Sequence, residues 1–377
     1  MISGFDENEI AELFADDNDD VKDDDFDVES ELEKPPVTKS GDLWLLGNHR
    51  LICGDSTKEN TYTRLMDGKK ANLVVTDPPY NVNYEGSAGK IKNDNLENDK
   101  FYQFLLDAFQ NTEKAMADDA SIYVFHADTE GLNFRKAFKD AGFYLSGTCI
   151  WKKQSLVLGR SPYQWQHEPV LFGWKKNGKH KWYSDRKQTT IWEFDKPKKN
   201  GDHPTMKPVP LIAYPIKNSS MTNCIVLDPF GGSGSTLIAC EQTNRICYTS
   251  ELDEKYCDVI VKRYIEQVGT TENVYVVRDG QKIRFDDLEM NSKALTLGSL
   301  FDGSGGFPLG GILSGITPLW ASEIEPFPIR VTTKRLSQMK HYGDVSKLNG
   351  AELPPVDIIT FGSPCQDMSV AGKRAGL

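Results

Sequence analysis

Between Gly41 and about Val277, the chain alternates between two kinds of segment. Short apolar runs such as Ala71–Thr76 are separated by longer stretches whose apolar residues recur every three or four positions. Runs of the first kind predict buried strands, and stretches of the second kind predict amphipathic helices. The predicted strands are 42–46, 50–53, 72–76, 121–125, 145–151, 224–228 and 246–250. The predicted helices are 100–117, 130–141, 208–218, 235–243 and 253–267.

Alternation of strands and helices is typical of an α/β protein with a mostly parallel sheet and helices on both faces. Residues 154–203 interrupt the alternation and predict hairpins and loops, with an Asn177-Gly178 turn joining 170–175 to 181–183. A second α/β pattern begins at Leu295. Its predicted elements are strands at 295–301, 317–323 and 356–361 and a helix at 308–314.

Charge separates residues 1–40 from the rest of the chain. They contain fifteen Asp or Glu and three Lys, whereas the whole chain has a net charge of −11. The remainder is therefore nearly neutral, and an acidic pI says little about its partners. The composition of residues 1–40 predicts an acidic disordered tail or linker.

The remaining composition narrows the class of protein. The 377 residues can form one large domain or two or three smaller ones. Seven cysteines form no Cys-x-x-Cys pair, and there is no secretory signal, which predicts reduced thiols in a cytoplasm. No apolar run approaches transmembrane length, so we expect no membrane partner.

The stretch Asp77-Pro78-Pro79-Tyr80 follows a predicted buried strand. It combines one carboxylate, two prolines without N–H groups and one aromatic ring. This set suits a flat heterocycle with an amino group, because the acid can accept from the NH₂ while the ring stacks. The stretch alone is equally compatible with a Pro-Pro turn that ends a strand.

A glycine loop lies between a predicted strand and helix, in Asp228-Pro229-Phe230-Gly231-Gly232-Ser233-Gly234. Such a loop allows close backbone approach to a ligand, and Glu251, 23 residues after Asp228, is placed to hold a ribose diol. The loop lacks strict G-x-G-x-x-G spacing and a G-x-x-x-x-G-K-[ST] motif. We therefore expect an adenosine ligand without pyrophosphate; a turn that only packs a helix on the sheet is the alternative.

In this order, DPPY followed by DPFGGSG resembles the β group of amino DNA methyltransferases that depend on S-adenosyl-L-methionine. The resemblance extends from Gly41 to about Val277. It implies a Rossmann-like methyltransferase sheet that is mostly parallel with one antiparallel strand. It also implies a cofactor site lined by Asp55, Thr205, Lys207, Asp228, Phe230, Gly231, Gly232, Gly234 and Glu251.

The resemblance assigns the chemistry to Asp77, Pro78, Pro79 and Tyr80. Asp77 and the Pro78 carbonyl would accept hydrogen bonds from the target amine, and Tyr80 would stack on a base flipped out of the duplex. Asp in the first position favours adenine N6 over cytosine N4, which remains the alternative. A DNA-binding remnant without activity is the alternative of another class.

Residues 151–200 combine twelve Lys or Arg and four Asp or Glu with five of the seven Trp. Basic and aromatic residues together suit contact with DNA phosphates and bases. We expect most of the Trp to pack in a core, and the acidic tail to compete with DNA for this region. The predicted DNA-binding residues are Lys152, Lys153, Arg160, Lys175, Lys176, Lys179, Lys181, Arg186 and Lys187.

A second signature occupies residues 295–377. Phe301-Asp302-Gly303-Ser304-Gly305-Gly306 repeats the strand and glycine-loop pattern, and Glu323 and Pro364-Cys365-Gln366 follow. Together they resemble the first half of a cytosine-C5 DNA methyltransferase, in which Cys365 would be the nucleophile. Later motifs of that family do not follow, so we expect a truncated unit that is silent by itself.

These observations predict four segments: a tail at 1–40, an amino DNA methyltransferase domain at 41–277 with a recognition insert at about 154–203, a linker at 278–294, and the C5-like unit at 295–377. The expected cofactor is S-adenosyl-L-methionine, and the expected partner is double-stranded DNA in a bacterial or phage-infected cell. The resemblance leaves open a homodimer and a paired restriction endonuclease. No metal site is expected.

Overall fold

A computed structural model describes residues 21–81, 85–86, 89–90, 95–158, 162–195, 206–292 and 295–362. The chain divides into two compact units, Met1–Leu288 and Glu289–Leu377. The first unit is built on an eleven-stranded sheet and the second on a four-stranded sheet. Within the described residues, no helix is long and apolar enough to cross a membrane.

The strands of the first unit lie in the order β13-β12-β1-β2-β11-β10-β3-β6-β8-β7-β9. Five neighbouring strands from β2 to β6 run parallel, and antiparallel strands extend the sheet on both sides. The bounds are β1 Leu43–Leu46, β2 His49–Cys53, β3 Ala71–Thr76, β6 Met116–Phe125, β7 Phe143–Val157, β8 Trp165–Lys175, β9 Ile191–Glu193, β10 Ile225–Asp228, β11 Ile246–Glu251, β12 Val274–Arg278 and β13 Gln281–Arg284. A separate two-stranded sheet pairs β4 Glu85–Gly86 with β5 Gly89–Lys90.

Helices cover both faces of this sheet. Along β3, Leu73 and Val75 belong to one buried cluster and Val74 to the other, because successive side chains of a strand point to opposite faces. Burial on both faces explains why the strand is a continuous apolar run. The helices are α1 Val28–Leu32, α2 Glu59–Met66, α3 Asn98–Ala115, α4 Gly131–Asp140, α5 Val209–Ser219, α6 Ser235–Gln242, α7 Glu254–Val268 and α8 Phe285–Ser292.

Local sequence fixes several element ends. Asp253 caps α7, since its carboxylate accepts a hydrogen bond from the backbone N–H of Lys255 at 3.0 Å. Gly269 ends the same helix in the left-handed region, with φ of 71°. Asp279 and Gly280 both have positive φ and form the turn between β12 and β13, as an Asp-Gly hairpin requires.

The second unit is a parallel sheet in the order β16-β15-β14-β17. Its strands are β14 Thr296–Leu300, β15 Thr317–Ser322, β16 Lys340–His341 and β17 Ile358–Phe361, and its helices are α9 Gly306–Leu313 and α10 Pro326–Arg335. The predicted second α/β pattern is confirmed in these elements. Helix α10 was not predicted, and neither was α2 in the first unit.

The structure differs from the sequence-based predictions in four details. One antiparallel strand was predicted for the sheet of the first unit, but several pairs of neighbouring strands are antiparallel. The segment 170–175 belongs to the long strand β8, which pairs with β6 and β7, so 181–183 is not its partner. Part of the predicted linker, 278–294, forms β13 and α8. Residues 21–40 of the predicted disordered tail are folded against the first unit, with Phe26, Val28 and Leu32 buried.

Candidate active site

Asp77 lies directly after β3, at the carboxyl ends of the parallel strands. Its side chain is 27 % exposed, and Oδ2 accepts a hydrogen bond from Lys207 Nζ at 2.6 Å. The hydroxyl of Tyr80 donates to Asp77 Oδ1 at 2.5 Å. Pro78 is buried and Pro79 half-buried between these two residues. The stretch is therefore more than a strand-ending turn, because two side chains hold its carboxylate.

A second carboxylate, Glu168, completes this cluster. It lies on β8, and its Oε2 accepts from the Tyr80 hydroxyl at 3.0 Å and contacts Lys207 Nζ at 3.2 Å. Its Oε1 contacts Lys153 Nζ at 2.6 Å. Glu168 is not among the site residues predicted from the sequence, although it is one of only four acids in the basic segment 151–200. Two carboxylates thus share one nearly buried lysine.

The two carboxylates have opposite pKa shifts. Burial raises the pKa of Asp77, and the nearby charge of Glu168 adds to the increase, although Lys207 opposes it. Burial would also raise the pKa of Glu168, but Lys207 and Lys153 outweigh it and lower this pKa to about 2. Burial raises the pKa of Tyr80 well above its ordinary value, so its hydroxyl keeps the proton that it donates. Asp77 is therefore the more basic of the two acids.

The glycine loop lies beside Asp77, because β10 pairs with β3 in parallel register. Asp228 is buried, and its carboxylate accepts from Thr76 Oγ1 at 2.8 Å and from Thr236 Oγ1 at 2.6 Å. Burial raises the pKa of Asp228 to about 7 despite these hydrogen bonds. Thr76 immediately precedes Asp77, so one hydrogen bond links two motifs that are about 150 residues apart in sequence.

Close packing requires glycine in the loop. A Cβ on Gly231 would lie 2.6 Å from Thr249 Oγ1. Gly232 and Gly234 have φ of 50° and 87°, a region that other residues rarely adopt, and Gly234 precedes the first residue of α6. A Cβ on Gly232 would meet no atom within 4 Å. This side of the loop is open to a ligand.

Glu251 is the last residue of β11, and its carboxylate holds the backbone of the glycine loop. Its Oε2 accepts from the backbone N–H of Gly232 at 2.8 Å, and its Oε1 accepts from that of Asp253 at 2.8 Å. Burial raises its pKa, against these two hydrogen bonds. Asp55 lies after β2, where its carboxylate accepts from the N–H and hydroxyl of Thr57 at 2.8 Å each. Strands β2 and β11 are parallel neighbours, so both acids lie at the same sheet edge as the loop.

The groups at this end of the strands fit an adenosine ligand. They offer open space at Gly232, a half-buried phenyl ring at Phe230 and carboxylates at Asp55 and Glu251 for hydroxyl groups. The Phe230 ring packs at 5.8 Å from the ring of Phe104. These are the residues that would hold S-adenosyl-L-methionine. Thr205, also predicted for this site, lies outside the described residues.

The predicted DNA-binding residues fall into two groups. Lys152, Lys153, Lys175 and Lys181 form ion pairs with Glu193, Glu168, Asp118 and Asp119, respectively. Lys153 is only 13 % exposed and belongs to the Asp77 cluster, so we remove it from the DNA candidates. The second group is exposed, without an ion pair in the described part of the chain: Lys176, Lys179, Arg186 and Lys187. Arg160 lies outside the described residues.

The five tryptophans of this region differ in burial. Trp151 and Trp192 are buried in the core and Trp174 is half-buried, so fewer of the five pack in a core than the predicted majority. Trp165 and Trp182 are 41 % and 38 % exposed. The sequence pattern could not separate these positions, because burial depends on which strand each residue pairs with.

The second unit repeats the geometry of the first glycine loop. Gly305 has φ of 87° and precedes α9, and the Gly303 N–H donates to Glu323 Oε2 at 2.7 Å. This bond corresponds to the one between Gly232 and Glu251. Burial raises the pKa of Asp302, which lies two residues after the end of β14, whereas Asp228 is the last residue of β10. Cys365 lies outside the described residues.

Strands β3 and β10 are parallel neighbours; β3 leads into the Pro-Pro motif and β10 leads into the glycine loop. This arrangement indicates the methyltransferase class. Comparison with known proteins identifies the family. A family model described as DNA methylase, of the N6/N4 class, matches residues 71–262. The chain belongs to this family, whose methyl donor is S-adenosyl-L-methionine. A model described as C-5 cytosine-specific DNA methylase matches residues 295–377, and a ParB-methyltransferase HTH domain matches residues 1–40.

Individual relatives have low sequence identity to this chain or match only a short part of it. The type II methyltransferase M.HpaI of Haemophilus parainfluenzae is 25% identical over 238 residues, which cover 57% of this chain and 74% of M.HpaI. A DNA N-6-adenine-methyltransferase of Escherichia phage P1 is 40% identical over 67 residues, 17% of this chain and 9% of that protein. Among solved structures, the M1.HpyAVI-SAM complex is 22% identical and covers 56% of this chain and 98% of its own, with a TM-score of 0.45.

Proposed function

We propose that this chain transfers a methyl group from S-adenosyl-L-methionine to N6 of adenine in double-stranded DNA. The observation that carries the proposal is the placement of Asp77, a partly exposed carboxylate held by Tyr80 and Lys207 beside the glycine loop. A carboxylate there can accept a hydrogen bond from an exocyclic amine. The Asp in this motif supports adenine over cytosine, and the match of 67 residues to the DNA N-6-adenine-methyltransferase of phage P1 supports the same choice.

The chemistry requires an amine that is made nucleophilic. The lone pair of an exocyclic amine is delocalised into the ring, and S-adenosyl-L-methionine supplies the electrophilic methyl group. Hydrogen bonds from the amine to Asp77 and to the Pro78 carbonyl would draw the nitrogen toward tetrahedral geometry. The contribution of these residues is mainly orientation and electrostatics.

Lys207 limits how strongly Asp77 can accept. Its ammonium lies 2.6 Å from Asp77 but also 3.2 Å from Glu168 and 3.0 Å from the Tyr80 hydroxyl. When the amine binds Asp77, Glu168 remains as the partner of the lysine, so no buried charge is left unpaired. Glu168 is therefore a positioning residue of the proposed reaction. After transfer, the methylated amine loses a proton readily, and Asp77 is the more basic acceptor nearby.

Access to Asp77 requires the target base to leave the duplex, since the carboxylate is largely covered by its neighbours. Tyr80 would contact the flipped base through its ring, while its hydroxyl holds Asp77 and Glu168. The exposed cations Lys176, Lys179, Arg186 and Lys187 would bind phosphates without reading sequence.

Nucleoside analysis tests this proposal. The full chain is incubated with duplex DNA and cofactor labelled in the methyl group, and the digested DNA is separated into nucleosides. We expect label in N6-methyladenine. Label in N4-methylcytosine would overturn the base assignment, and DNA binding without any labelled nucleoside would support an inactive DNA-binding protein. Label in 5-methylcytosine would show that the unit at 295–377 is active.

A further inference from the structure

Residues 21–40, here called the N-terminal arm, pack against helix α7 within the first unit. Phe26, Val28 and Leu32 form a buried cluster with Val259 of α7 and with Met206. Met206 immediately precedes Lys207 of the Asp77 cluster. The arm is therefore attached to the part of the unit that carries the proposed catalytic and cofactor residues.

An ion pair connects the arm to the glycine loop. Arg263 on α7 is 2 % exposed, and its Nε donates to Asp24 Oδ2 at 2.8 Å. One terminal nitrogen of the same guanidinium donates to the carbonyl oxygen of Ser233 at 2.8 Å. Ser233 lies between Gly232 and Gly234, the two loop residues with positive φ. The guanidinium thus bridges the arm and the most constrained part of the loop.

A second acid of the arm holds the start of helix α5. Asp23 Oδ1 accepts a hydrogen bond from the backbone N–H of Val209 at 2.7 Å. Val209 is the first residue of α5 and follows Lys207 by two positions. The carbonyl of Lys207 in turn accepts from Ser235 Oγ at 2.8 Å, at the start of α6. Asp23 and Asp24 therefore support the Lys207 backbone and the loop from two sides.

We propose that the N-terminal arm positions the cofactor loop, with Asp24 and Arg263 as positioning residues for S-adenosyl-L-methionine binding. This inference rests on the proposed role of the loop in binding the cofactor. A buried guanidinium that lacks its carboxylate partner must rearrange or bring in water. The Ser233 carbonyl then loses a fixed donor, and the loop samples conformations that do not fit the ligand. Both residues lie outside the match to the DNA methylase family at 71–262.

Substitution of Asp24 by Asn removes the charge and keeps the shape of the side chain. We expect Asp24→Asn to weaken binding of S-adenosyl-L-methionine about 5- to 20-fold, as measured by titration calorimetry on the full chain well below its melting temperature. The KM for DNA should stay within about twofold, since the arm does not contact the exposed cations by any hydrogen bond or ion pair in the described residues. A loss of folding alone would not separate these two constants.

Glu33→Gln is the matched control, because it removes the same charge from an exposed position of the same arm, and its affinity for the cofactor should equal that of the wild type. Asp24→Asn protein that binds the cofactor within twofold of the wild type overturns the inference. Should this variant not fold, Asp23→Asn decides by the same criterion. A wild-type chain that does not bind S-adenosyl-L-methionine would instead refute the proposed role of the loop.

Discussion

Replacing Glu168 with Gln tests whether the second carboxylate supports catalysis. Within the described part of the chain, the substitution leaves Lys207 with Asp77 as its only carboxylate partner, and leaves Lys153 without its contact at 2.6 Å. Lys207 should then compete more strongly with the target amine for Asp77. A hydrogen bond to a charged group contributes about 1.5–3 kcal/mol, so we expect kcat to fall about 10- to 100-fold.

The pH dependence separates this role from a loss of folding. The charge of Glu168 raises the pKa of Asp77, so its removal should lower that pKa. A carboxylate that must be ionised to accept from the amine loses function as the pH falls through its pKa. The acidic limb of the kcat/KM profile should therefore move to lower pH in Glu168→Gln, even though the rate at neutral pH decreases.

The assay is methyl transfer to duplex DNA under saturating cofactor, measured across pH for the wild type, for Glu168→Gln and for a control variant. Glu193→Gln is the control, because Glu193 pairs with Lys152 at 2.7 Å in the same sheet but is 66% exposed, and exposed pairs contribute about 0–1 kcal/mol. Its kcat should remain within about twofold. A Glu168→Gln enzyme with wild-type kcat and an unmoved acidic limb would refute the reasoning.

Three further predictions concern the loop, its buried acid and the exposed cations. Between about pH 4 and pH 7, Asp228 keeps a proton in the folded chain that it has lost in the unfolded chain, so the free energy of unfolding should fall by up to about 4 kcal/mol as the pH rises. Denaturant titrations across this range should show that Asp228→Asn lacks the pH-dependent decrease. Equal decreases in the wild type and the variant would contradict the prediction. Gly231→Ala should reduce cofactor affinity, because its Cβ would lie 2.6 Å from Thr249 Oγ1, whereas Gly147→Ala, with no atom within 4 Å, should not; equal calorimetric titrations would count against this. Lys176→Gln and Lys179→Gln should each reduce the slope of log Kd for DNA against log salt by about 1, and unchanged slopes would remove both residues from the interface.

The sequence predicted the parallel centre of the sheet because strands such as β3 and β10 are buried and consist largely of apolar residues in an unbroken run. It also predicted that Asp77 and the glycine loop would lie at strand ends. It missed the antiparallel extensions, although Asp279-Gly280 is a hairpin signal. Short strands such as β13 carry too few apolar residues to be distinguished from a linker.

Glu168 and the N-terminal arm show the limit of composition. Glu168 reads as an ordinary acid in a basic segment, and only the pairing of β8 with β6 brings it to Tyr80. The acids of residues 1–40 predict disorder when counted together. Asp23 and Asp24 nevertheless have specific partners, Val209 and Arg263, more than 180 residues away. Deleting residues 1–35 should therefore impair the first unit, rather than simply tighten DNA binding.

The most direct test of the central claim is to measure methyl transfer and cofactor binding on one variant, Asp77→Ala. Asp77 is proposed to contact the target amine, and the glycine loop is proposed to bind the cofactor. We expect this variant to lose methyl transfer to DNA while it binds S-adenosyl-L-methionine with nearly wild-type affinity by calorimetry. Retained methyl transfer in Asp77→Ala would contradict the account.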